Sequence, residues 1–69
     1  MQILVFKTNL DAERLLDVKP TLDVHPEIHQ WNVDLKDCDN VLRIKTNNLS
    51  AAEVENILGS SGYYCKELL

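Results

Sequence analysis

Ile3-Leu4-Val5-Phe6-Lys7-Thr8-Asn9-Leu10-Asp11-Ala12-Glu13-Arg14-Leu15 changes from one kind of local order to another within a few residues. Residues 2–8 carry β-branched and aromatic side chains that are apolar on both alternating sets, the pattern of a strand with neighbours on either side. Asn9 or Asp11 can cap a following helix, because both side chains accept hydrogen bonds from the free N–H groups of a first turn. Leu15, Val18 and Leu22 then recur at i, i+3 and i+7 and share one helical face. Pro20 cannot donate to the carbonyl of Leu16 and crowds it. A kink is expected there, or a short helix with one further turn ending near Val24, and His25-Pro26 reads as the connector.

A second strand is expected over Ile28 to Lys36, where Trp31, Val33 and Leu35 alternate with Asn32, Asp34 and Lys36. Asp37-Cys38-Asp39-Asn40 has turn chemistry and no room for a helix, so the chain returns as a hairpin into Val41–Thr46. There Leu42 and Ile44 share one face and Arg43 and Lys45 the other. Ser50-Ala51-Ala52-Glu53 fits a capping box, with Leu49 and Val54 as its hydrophobic staple. Val54, Ile57 and Leu58 form the buried stripe of this second helix, and Gly59 is placed to end it in the left-handed conformation. Tyr63 to Leu68 reads as a last short strand.

The order β-α-β-β-α-β predicts a ferredoxin-like α+β fold in one domain over 1–69. Two helices cover one face of a four-stranded antiparallel sheet, and right-handed crossovers give the strand order 4-1-3-2. The first loop, the 37–40 hairpin and the 59–62 turn then share one end, and the 25–27 connector lies at the other. At 69 residues the chain buries only about 60% of its unfolded surface. Its core is worth ~3–5 kcal/mol net, too little for a deep catalytic cleft.

The chain resembles the heavy-metal-associated domain of metallochaperones, mercury-binding proteins and copper-ATPase N-terminal modules over almost its whole length. The likeness rests on Phe6-Lys7-Thr8-Asn9 before the first helix, Val18-x-Pro20-x-Leu22 within it, and Ile28-x-x-Trp31-x-Val33-Asp34-Leu35 in the second strand. Val41-Leu42-x-Ile44 and Gly62-Tyr63 continue it. The resemblance implies a Cys-x-x-Cys site for a soft cation such as Cu(I) at the first loop and helix start, where the helix N-terminus favours thiolates. The matching positions are Ala12 with either Leu15 or Asn9, depending on where a one-residue gap falls, and there is no cysteine between Met1 and Asp37. A metal-binding fold without its metal residues is the expectation.

Substitute ligands are few. Cys38 sits in the hairpin at the same end as the vacated loop, but one thiol rarely holds a metal by itself. Cys65 alternates with Tyr63 and should point inward as a small apolar filler. A Cys38–Cys65 disulfide is disfavoured, because hairpin and last strand lie at opposite edges of the sheet, beyond the ~7 Å Cα limit. His25-x-x-x-His29 has helical ligand spacing, but Pro26 and the strand beginning at Ile28 deny it a helix. Asp11, Glu13, Asp37 and Asp39 could gather at the vacated end, though no loop there is long enough for a hard-cation cage.

No nucleophile stands beside a base, and the only glycines, Gly59 and Gly62, follow a helix rather than precede one, so neither an enzyme nor a cofactor is expected. The net charge is −4, and the seven basic residues are scattered along the chain, which disfavours nucleic acid. RNA-recognition domains share the topology but put aromatics and bases on the two central strands, whereas the outer face here carries Arg43 and Lys45 without flanking aromatics. No run approaches the ~18 apolar residues of a membrane span, and no signal peptide is evident. A cytoplasmic protein acting through a protein partner, or as a homodimer, is the expectation. The contact surface would be the open sheet face, where Ile3 and Val5, or Leu4 and Phe6, lie with Val41 and Tyr64.

Overall fold

The computed structural model describes residues 1–68; Leu69, the last residue of the expected domain, lies outside them. The elements are β1 (Gln2–Thr8), α1 (Ala12–Val24), β2 (Gln30–Asp34), β3 (Val41–Thr46), α2 (Ala51–Ser60) and β4 (Cys65–Glu67). They form one sheet in the order β2-β3-β1-β4 with every neighbouring pair antiparallel, which is the expected 4-1-3-2 arrangement. Among the described residues no helix is long and apolar enough to cross a membrane.

Period-two alternation sorts β1. Leu4, Phe6 and Thr8 are buried, while Ile3 and Lys7 are exposed and Val5 is half-buried. Opposite them, Leu42 and Ile44 of β3 pair with Phe6 and Leu4. Val18 and Leu22 of α1 and Val54 and Leu58 of α2 close over this side, so both helices cover the same face. The polar groups inside are provided for: the Thr8 hydroxyl donates to the Asn40 carbonyl at 2.6 Å and accepts the Leu10 N–H at 3.1 Å. The Thr46 hydroxyl likewise accepts the Leu49 N–H.

Asp11 caps α1, its carboxylate accepting the Arg14 N–H at 2.8 Å. Pro20 does not interrupt the helix, which runs unbroken to Val24. Pro20 and Leu16 both lie on the exposed side, so the carbonyl that the ring deprives of a donor faces solvent rather than the core.

The second strand is shorter than its alternation predicts, at both ends for the same physical reason. Backbone N–H groups needed for a longer ladder are used locally. Ile28 N–H returns to the His25 carbonyl at 3.2 Å. At the other end Lys36 N–H goes to the Asp34 carboxylate and Asp39 N–H to the Asp37 carboxylate. Leu35 therefore falls in the turn and is exposed, while Ile28 keeps its place in the core from outside the strand. Asn40, with φ +45°, supplies the left-handed residue that closes the turn.

Ser50 caps α2 by accepting the Glu53 N–H, flanked by buried Leu49 and Val54. Gly59 does not terminate this helix. It lies inside the last turn, and Gly62, at φ +87°, is the left-handed residue. Tyr63 N–H reaches the Leu58 carbonyl at 3.0 Å and Gly62 N–H the Gly59 carbonyl at 3.0 Å, the paired bonds of a Schellman ending. Such an ending brings the residue after the left-handed one against the last core residue of the helix. Tyr63 is the first large apolar side chain after Leu58, so position 62 must turn. The final strand is correspondingly cut to Cys65–Glu67, because the N–H groups of Tyr63 and Tyr64 are committed to α2 and to the Asn9 side chain.

Candidate functional site

The expected gathering of loops at one end is present. Thr8 N–H donates to the Asp39 carbonyl, tying the first loop to the hairpin. Asn9 and Tyr64 exchange two bonds, the Tyr64 N–H to Asn9 Oδ1 at 2.9 Å and the Asn9 N–H to the Tyr64 carbonyl at 3.4 Å. The Tyr63 hydroxyl donates to the Asp17 carboxylate, and this bond raises the tyrosine's pKa because ionisation would break it beside a negative charge.

The vacated positions have structural occupations. Asn9 holds the last turn and its carbonyl accepts from Arg14. Ala12 is the exposed first residue of α1, and Leu15 packs against the core. Among the described residues, the one group of possible ligands within reach of each other is Asp37, Cys38 and Asp39, whose ligand atoms lie within 4.8 Å of one another. All three belong to the turn that they build: Asp37 accepts the Asp39 N–H, and Asp39 faces the Lys7 ammonium at 3.4 Å. Asp11 is spent as a helix cap. His25 ends α1 and accepts the Glu27 N–H at its own Nδ1, His29 is exposed, and neither belongs to that group.

Both cysteines are free. Cys65 packs against the core as expected, and burial, reinforced by the nearby Glu55 carboxylate, pushes its thiol up to about 12. Cys38 is exposed. At about pH 8, a disulfide exchange reagent is therefore expected to label one thiol rapidly in the folded protein. The second, half-buried and held in the thiol form, should react far more slowly, and Cys38→Ser should abolish the rapid phase. Two equally fast thiols would contradict the half-buried position of Cys65 against the core. The sign of the linked stability follows. Between the ordinary thiol range and about 12 the unfolded chain loses a proton that the folded chain keeps, so stability falls as pH rises through that window.

The face of the sheet away from the helices is laid out in stripes along the strands. Gln30 pairs with Lys45 and Asn32 with Arg43 between β2 and β3; Lys45 pairs with Ile3 and Arg43 with Val5 between β3 and β1. Amides, cations and aliphatics thus run side by side. A shallow hollow of about 200 Å³ lies among Ile3, Gln30, Trp31, Asn32, Arg43 and Lys45. Ile3 is 58% exposed, and Leu4 and Phe6, the alternative pair for this face, are in the core. Tyr64 is exposed as expected, but Val41 is only 5% exposed and adds no apolar surface. Lys66 of β4 pairs with Lys7, so four of the seven basic residues that are scattered in sequence stand on one face. That clustering was not legible from their spacing. It requires three strands to be set in register.

Trp31 pairs with Ile44 on the helix side of the edge strand, at the rim of this hollow. It is half-buried against the core, its indole N–H donates to Asp23 at 2.8 Å, and the Lys19 ammonium lies 5.7 Å from the ring centroid. The bonds from Trp31 and Lys19 lower the Asp23 pKa.

The βαββαβ order, the single antiparallel sheet and the one-sided helices define an α+β domain of ferredoxin-like layout. No protein-family model, no curated protein and no solved structure matches the chain.

Proposed function

We propose that this chain is a small non-enzymatic binding domain, of heavy-metal-associated type without that family's metal-binding cysteines, which acts by protein–protein contact through the open face of its sheet. The observation that carries this reading is the two-faced central strand. β1 buries Leu4 and Phe6 beneath the helices yet presents Ile3 and Val5 on a side that no helix or second sheet covers among the described residues. Exposed aliphatics in the middle of a sheet, bordered by polar side chains, are the composition of an interaction surface. The vacated loop supports the same reading, since Asn9, Ala12 and Leu15 offer no soft donor, and Asn9 and Leu15 are occupied in holding the loop and packing against the core.

The test is a competition titration of the reduced protein with Cu(I) and Zn(II), read together with native mass spectrometry. Affinities no tighter than those of a free thiol or imidazole are expected, unchanged by Cys38→Ser. Tight binding at a defined stoichiometry that Cys38→Ser abolishes would replace this reading with a metal-binding one centred on the Asp37–Asp39 turn.

A further inference from the structure

Arg43 and Lys45 have no ionic or hydrogen-bonded side-chain partner among the described residues, in a chain with 11 acidic residues and a net charge of −4. Lys7, Arg14 and Lys19 are each paired with an aspartate. Of the four basic residues without such a partner, Arg43 and Lys45 stand at alternate positions of one central strand, about 7 Å apart along it. Each is flanked by an amide on one side and an aliphatic on the other. Nearby like charges repel, so the arrangement is relieved when carboxylates are brought to it.

We infer that the open face docks an extended acidic segment of another protein, with Arg43 and Lys45 receiving the alternate carboxylates on its side turned to the sheet, beside the aliphatic stripe of Ile3 and Val5. The inference rests on the reading above that this face is the working surface, and adds the chemistry of the partner. Carboxylates at alternate positions of an extended chain repeat at about the same 7 Å as the two cations. Gln30 and Asn32, whose side chains have no hydrogen-bond partner among the described residues, supply donors and acceptors for a peptide backbone. Charge complementarity also selects against other occupants. A second copy applied face to face by a two-fold axis sets cationic stripe against cationic stripe. Single-stranded nucleic acid would need stacking platforms, but Ile3, Val5, Lys7, Val41, Arg43 and Lys45 place no aromatic on the central strands of this face. Asp34 stands at its hairpin end.

The experiment uses the full isotopically labelled chain and four probes: a peptide alternating glutamate and valine, its glutamine and lysine counterparts, and a thymidine oligonucleotide. The glutamate peptide is expected to shift amide resonances of Ile3–Val5, Gln30–Asn32 and Arg43–Lys45. Its affinity should fall about tenfold or more between about 20 and about 200 mM salt. The double variant R43E/K45E should lose at least about tenfold, and R43Q/K45Q should show an intermediate loss, with melting profiles confirming that each remains folded. Should the glutamate variant not fold, the glutamine variant carries the comparison. Equal binding of the glutamine peptide, or tighter binding of the oligonucleotide, overturns the proposal. Preference for the lysine peptide at the same resonances overturns the acidic partner but leaves the face as a protein-binding surface. Concentration-dependent self-association through the face also replaces the acidic segment, with a second copy. Absence of any perturbation on the face defeats both this inference and the reading beneath it.

Discussion

Replacing Phe6 by alanine is expected to leave most of the population unfolded at room temperature. Phe6 is fully buried in a central strand, pairs with Leu42 of β3 and with Glu67 of β4, and belongs to the one core of the molecule. Truncating a buried phenylalanine removes its transfer free energy and leaves a cavity, at a cost of about 3–5 kcal/mol. A domain of this size has a net stability of the same order. Circular dichroism and urea denaturation measure the outcome, with the expected signature a lost or far earlier cooperative transition. A variant that still unfolds cooperatively and has lost less than about 1 kcal/mol would show that the strand does not organise the core in this way.

Thr8→Val is the more diagnostic second change, because it preserves shape and removes only chemistry. The Thr8 hydroxyl joins the first loop to the hairpin by donating to the Asn40 carbonyl and accepting from the buried Leu10 N–H. Valine leaves that donor and acceptor unmet, at a cost of about 2 kcal/mol. Hydrogen exchange should report faster opening of the Thr8 and Leu10 amides, since the Thr8 N–H is itself bonded to the hairpin carbonyl of Asp39. If stability changes by less than about 0.5 kcal/mol and protection at both amides is retained, the bridge contributes nothing.

Where the expectations from sequence diverge from the fold, the cause is competition for backbone hydrogen bonds. The alternation of Trp31, Val33 and Leu35 is real, but the ladder ends at Asp34, whose carboxylate takes the Lys36 N–H as Asp37 takes that of Asp39, and Leu35 falls in the turn. Gly59 has the right composition for a helix end, yet the site is decided by Tyr63, which must reach Leu58 and so transfers the turn to Gly62. Pro20 is tolerated because the Leu16 carbonyl it leaves without a donor lies on the exposed side of the helix. In each case the local residue type was readable, whereas the outcome depended on which groups the fold turned toward the core or toward solvent.

The sequence by itself determined the six elements, their order, the strand arrangement, the capping roles available to Asp11 and Ser50, and the absence of sulfur from the first loop. These follow from periodicity and side-chain chemistry acting over a few residues, where spacing in sequence and spacing in space are nearly the same. Only the tertiary structure decided which side of β1 the helices cover, and so that Ile3 and Val5 rather than Leu4 and Phe6 face outward. It also decided the pairings of Asn9 with Tyr64, Asp17 with Tyr63 and Asp23 with Trp31, and the convergence of Lys7, Arg43, Lys45 and Lys66. Those relations join residues far apart in the chain. A one-residue change of register would send every strand side chain to the opposite face, so the composition of the open surface exists only once strand order and register are set.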